Sequence, residues 1–118
     1  MPDSRYFFDS SVLLAIIRGE ANKERAVALL NQLKQNQLVT SVLVAYELYR
    51  GVHPDSSTRK SQLKALDRAL NRFSLKPVYE AQAMHAAKVF YKSAGAIDPI
   101  LAAQCVDGGF TMVTFNEK

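Results

Sequence analysis

One cysteine, two histidines and no tryptophan occur among these 118 residues. The lone Cys105 excludes an internal disulfide, and with no secretory signal in view the expected compartment is a reducing cytoplasm. No apolar run approaches the roughly 20 residues that span a bilayer, so no membrane partner is expected. The polar opening Met1–Arg5 does not look like a targeting segment. Internal repeats, low-complexity tracts and linkers are absent too, and residues 1–118 read as a single domain.

What is present suits a folded chain. Apolar residues make up 48% and charged residues 22%, ordinary for a globular domain. At this length roughly two-thirds of the unfolded surface becomes buried. The net charge of +4 mildly favours a polyanionic partner.

The chain is organised around Tyr6-Phe7-Phe8-Asp9-Ser10-Ser11, followed by the apolar Val12–Ile17. Three consecutive aromatics suit a buried strand. A strand ending in a carboxylate and turning at once into a helix places charge at the carboxyl edge of a parallel sheet, where open α/β folds bind ligands. The rest alternates in kind. Residues 5–9 predict a strand, 10–18 a helix stopped at Gly19, and 21–35 a helix with Ala26, Leu29, Leu30 and Leu33 on one face. Residues 38–41 predict a strand whose Ser41 caps a helix over 42–50, ended by Gly51. A turn cluster at His53–Ser57 precedes a helix over 58–73 with Leu63, Leu66, Leu70 and Phe73 inward. Residues 75–78 predict an edge strand, because Pro77 is costly inside a sheet. A helix over 80–94 is expected with Ala83, Ala87 and Phe90 inward and a break at Gly95. Asp98 is expected to cap a helix over 99–106, followed by Gly108-Gly109 and a last strand over 110–114. Such alternation argues for a parallel sheet covered by helices on both faces.

Asp9 ends the first strand, Glu47 lies about 9 Å along the helix after the second, Asp98 opens the helix feeding the last, and Asn116 follows that strand. In a parallel sheet all four belong to elements that meet at one edge. Three carboxylates in one cleft repel each other unless some take up protons or a hard cation sits among them. An oxygen-only set suits magnesium or manganese better than zinc. Each residue also has a plainer role: Asp9 and Asp98 as helix caps, Glu47 as a surface glutamate, Asn116 as a turn residue. Their joint placement outweighs those roles.

The segments Phe8–Leu14, Ser41–Gly51, Ile97–Gln104 and Phe110–Asn116, in that order, resemble the PIN-domain ribonucleases, and among them the toxins of VapBC-type toxin–antitoxin pairs. The resemblance implies a three-layer α/β/α PIN-like domain with a short parallel sheet of four or so strands. It implies a Mg2+- or Mn2+-dependent endoribonuclease in which Asp9, Glu47 and Asp98 are the acidic metal ligands and catalytic residues. Asn116 matches the fourth polar ligand position, and Ser11 a position that supports the first acid. A homodimer and a bound antitoxin protein are implied as well. Two features depart from the family: only Ala96 and Ile97 separate Gly95 from Asp98, and the chain stops at Lys118 where relatives typically continue.

Lys60, Lys64, Arg68 and Arg72 recur every four residues, either as a contact for RNA phosphates or as the solvated face of an amphipathic helix. Tyr46 and Tyr49 flank Glu47 and either stack on bases or pack. Cys105, among small apolar residues, reads as a buried thiol. His53 reads as a turn residue and His85 as a helix-surface or partly buried one. The rival to the nuclease is a non-catalytic PIN-like module that binds RNA or protein and uses its acids structurally. A receiver-type phosphoacceptor at Asp9 is a weak third, since Phe110–Asn116 contains no lysine.

Overall fold

The computed structural model describes residues 4–17, 23–89 and 97–114. Within them run β1 (Tyr6–Phe8), α1 (Ser10–Ile17), α2 (Lys23–Gln32), a 3-10 turn (Gln35–Gln37), β2 (Leu38–Ser41), α3 (Val42–Arg50), α4 (Arg59–Leu70), β3 (Ser74–Lys76), α5 (Glu80–Val89), α6 (Ile97–Gly108) and β4 (Thr111–Val113). The strands form one parallel sheet in the order β3-β2-β1-β4. This is the expected α/β/α arrangement. The third strand lies at an edge as expected, but it spans Ser74–Lys76 instead of 75–78 and stops just before Pro77, which has no N–H to continue the ladder.

Successive side chains of a strand point to opposite faces, so Phe7 and Phe8 fill the two layers separately. Both are fully buried. Phe7 stacks on Phe110, with ring centroids 6.0 Å apart. Phe8 meets Phe73 edge-on at 5.4 Å. Each such burial contributes about 1.5–3 kcal/mol. On one side α1 packs against α2, α3 and α4, and elsewhere α5 packs against α6. Val12, Leu13, Leu30, Val44, Leu48, Leu66 and Leu70 join the core.

Local chemistry sets the element ends. The Ser41 hydroxyl accepts from the Leu43 amide at 3.1 Å, which starts α3 where β2 stops. The Gln37 side chain accepts from the Lys34 amide and donates to the Ser4 carbonyl, both at 3.0 Å, so the chain leaves α2 earlier than its apolar spacing suggests. Gly109 takes φ +65°, the Phe110 amide donates to the Cys105 carbonyl and the Gly109 amide to that of Val106. That Schellman closure ends α6 and turns the chain into β4.

Two more expectations need correction. Among the described side chains of α5, Gln82 and Ala86 are buried, whereas Ala83 and Ala87 are exposed. The Gln82 carbonyl oxygen folds back to accept from the Tyr79 amide at 3.0 Å, and this half of a capping box draws Gln82 inward. With alanines on several faces, no large side chain marked the true one. In α6 the helix already includes Ile97, so Asp98 lies within its first turn and not at a cap ahead of Pro99. The stops at Gly19 and Gly95, Phe90 and Asn116 lie outside the described residues.

Candidate metal centre at the carboxyl edge of the sheet

Asp9 sits between β1 and α1 and is 9% exposed. Its Oδ1 accepts from the Ser11 amide at 3.0 Å and the Ser11 hydroxyl at 2.5 Å. Asp9 therefore caps α1, the plainer of its two expected roles, and the cap fixes its carboxylate at the sheet edge. Its Oδ2 accepts from the Thr114 hydroxyl at 2.5 Å. Thr114 reaches it because Phe8 pairs with Val113, which brings the next residue of each strand level. The Asp9 amide donates to the Val113 carbonyl at 3.2 Å and closes the seam. The Ser11 and Thr114 hydroxyls lie 3.3 Å apart. On the other side of β1, the Thr40 hydroxyl donates to the Phe8 carbonyl at 2.6 Å. The carboxylate is thus held by hydroxyls from both ends of the chain.

Thr114 is the residue that sequence reasoning missed. A threonine in a strand reads as an ordinary β-former. Only the β1–β4 register gives it a partner.

Glu47 lies on α3, half-buried between the buried Val44 and Leu48. The two tyrosines beside it part company. Tyr49 is half-buried, and its hydroxyl donates to the Asp67 carboxylate across the α3–α4 contact. That bond, with burial, raises the Tyr49 phenol to about 12. Tyr46 is 55% exposed and stays on the surface. The side chain of Asp98 and all of Asn116 lie outside the described residues. Among the described residues, no three aspartate, glutamate, histidine or cysteine side chains gather closely enough to hold a metal ion. The oxygens that do gather, the Asp9 carboxylate with two hydroxyls orienting it, are hard donors of the kind Mg2+ or Mn2+ takes.

Lys60, Lys64, Arg68 and Arg72 are all exposed on or just past α4. Arg68 and Arg72 also rim an apolar groove of about 230 Å3, floored by Leu13, Ile16, Leu30 and Phe73. Cys105 is buried, which raises its thiol to about 11. His53 is exposed in its turn, its Nδ1 accepting from the Asp55 amide. His85 is partly buried on α5.

Solved structures share this architecture. VapBC2 from Rickettsia felis, bound to a DNA fragment from its promoter, matches with TM-score 0.79 and 19% identity over 94% of this chain and 86% of that one. FitAcB from Neisseria gonorrhoeae matches with TM-score 0.76 and 25% identity over 94% and 87%. The Mycobacterium tuberculosis VapC20, a sarcin-ricin loop cleaving toxin, matches with TM-score 0.76 and 18% identity over 96% and 91%. No significant match is found among curated proteins. The family model of the PIN domain matches residues 6–118, so the chain belongs to the PIN-domain family.

Proposed function

We propose that this protein is a Mg2+- or Mn2+-dependent endoribonuclease acting as the toxin of a toxin–antitoxin pair. The observation that carries this reading is the Asp9 carboxylate, fixed at the carboxyl edge of the sheet by Ser11 and Thr114, in a chain whose PIN-domain match spans residues 6–118. Asp9, Glu47 and Asp98, with Asn116 as a fourth oxygen donor, would hold the cation. When bound, such an ion supplies Lewis acidity toward a phosphodiester and a route to a deprotonated water. The chain's own contribution is orientation. Ser11 and Thr114 fix the Asp9 carboxylate, and the Thr40 bond to Phe8 fixes the strand end that carries it.

The antitoxin partner is supported by the apolar groove beside α1, whose two arginines suit an acidic and apolar segment. The exposed cations along α4 suit either that segment or RNA phosphates. A homodimer and a cytoplasmic location belong to the same reading, and no helix among the described residues is long and apolar enough to cross a membrane.

Cleavage of labelled RNA by the wild type and by Asp9→Asn, each with Mn2+ and with EDTA, tests the proposal. Cleavage by the wild type that EDTA abolishes and Asp9→Asn lacks is the expected result. Equal, metal-independent cleavage by both ends the metal-site claim. No Mn2+ binding even at millimolar concentration points instead to a non-catalytic PIN-like module.

A further inference from the structure

Helix α3 presents Val42, Tyr46 and Arg50 at spacings of four, all exposed. The Tyr46 ring is 55% exposed and Val42 39%. The Arg50 guanidinium carbon lies 5.9 Å from the Tyr46 ring centroid, and Arg50 Nη1 donates to the Tyr46 hydroxyl at 3.3 Å. Tyr46 adjoins the proposed centre in sequence, and its helix starts from the same edge of the sheet. Tyr46 precedes Glu47, and α3 springs from β2, the strand hydrogen-bonded beside β1 and its Asp9. Tyr46, one residue before Glu47, stands one rise of about 1.5 Å nearer the helix start.

An exposed aromatic ring with a guanidinium against it combines the two elements that bind single-stranded nucleic acid: a π-face for a base and a cation for the adjoining phosphate. Arg50 uses one of its five N–H donors on Tyr46, which steadies the ring while the fork keeps its phosphate geometry. Tyr49, tied to Asp67, is built for packing instead.

We propose that Tyr46 and Arg50 form a stacking platform that holds one unpaired base of a single-stranded RNA and its phosphate beside the metal centre. This rests on the ribonuclease reading and names how its substrate is held. Base stacking needs an unpaired nucleotide, so a fully duplex RNA is a poor ligand for the pair.

Fluorescence anisotropy of a labelled single-stranded RNA 12-mer, with the full chain in EDTA so that no cleavage occurs, reads the platform directly. Tyr46→Ala is expected to weaken binding about tenfold or more, and Tyr46→Trp to restore it. Arg50→Ala is expected to reduce the slope of log affinity against log salt by roughly 0.7, the value for one phosphate on a single strand. Tyr46→Gln reads the same loss should the alanine form fail to fold. Unchanged affinity in Tyr46→Ala overturns the platform. So does a loss of binding that coincides, in sedimentation, with dissociation of a homo-oligomer, which assigns this face to a second copy of the chain. Metal-dependent cleavage by the wild type with Tyr46→Ala binding unaltered sinks this inference alone; a wild type that binds RNA through Tyr46 but never cleaves it sinks the nuclease reading alone.

Discussion

Thr114 and Asp9, 105 residues apart, are joined by a 2.5 Å hydrogen bond from hydroxyl to carboxylate. The bond crosses the seam between the first strand and the last. Ser11 holds one carboxylate oxygen of Asp9, and this bond ties the other to the docking of β4.

Replacing Thr114 by valine keeps the β-branched shape and removes the donor. Loss of a residue that orients a metal ligand typically costs 10–100-fold in affinity or activity. Thr114→Val is therefore expected to cut Mn2+ affinity and cleavage rate by that order with little change in melting temperature. Thr114→Ser should retain most of both. Isothermal titration with Mn2+ and initial cleavage rates check this, and a valine form with unaltered metal affinity sinks it.

The core makes a separate forecast. Phe8 is fully buried, touches Phe73 edge-on and lies one residue before Asp9. Phe8→Ala should cost about 3–5 kcal/mol. Val42→Ala, at an exposed position, should cost less than about 0.5 kcal/mol. Urea denaturation midpoints at constant m-value report both.

Alkaline pH should weaken the fold in two stages. Burial raises Cys105 from 9.0 to about 11, and the Asp67 bond raises Tyr49 from 10.0 to about 12. Both groups are neutral when protonated, and the folded state holds the proton more tightly. Their stabilisation is complete below the unfolded pKa and is lost as pH rises through the folded one. Stability should therefore fall from about pH 9 upward. Cys105→Ala should remove the earlier part of the decline and Tyr49→Phe the later part. Thermal melts between pH 8 and 12 are the measurement, and a flat profile in the wild type contradicts the assignment.

The two glycines after α6 should differ in what they tolerate. At Gly109, φ is +65° and the space around a Cβ is open, so alanine meets only backbone strain, about 1 kcal/mol. At Gly108 an added Cβ lies 2.2 Å from the Phe110 ring, which must then leave its stack on Phe7. Gly108→Ala should be the more damaging by chemical denaturation, and the reverse order refutes this account of the turn.

Much of the architecture was readable because strong local signals coincided. Ser41 is at once the last residue of β2 and the cap of α3, and both elements begin and end where the sequence predicts. Pro77 pointed to a strand over 75–78, whereas the strand found, Ser74–Lys76, ends just before it. Legibility failed where side chains were uniform or partners remote. Helix α5 carries alanines on several faces, so only the backward bond of Gln82 distinguishes its buried side. Tyr46 and Tyr49 look alike in sequence, and only Asp67 across the α3–α4 contact separates them. At the site, Asp9 was legible from the abrupt end of an aromatic run. Thr114 was not, because strand register over a hundred residues of intervening chain is not a local property.

Among the described residues, the order β3-β2-β1-β4 has the last strand bonded to a neighbour on one side only, over three residues. Such a margin is expected to fray well before the interior yields. Release of β4 takes Thr114 from the carboxylate while β1 and β2 stay paired. The acid can thus lose the restraint on Oδ2, while Ser11 still holds Oδ1, through a local opening far cheaper than global unfolding, and whatever pins the margin down governs how long both oxygens of the proposed centre stay fixed.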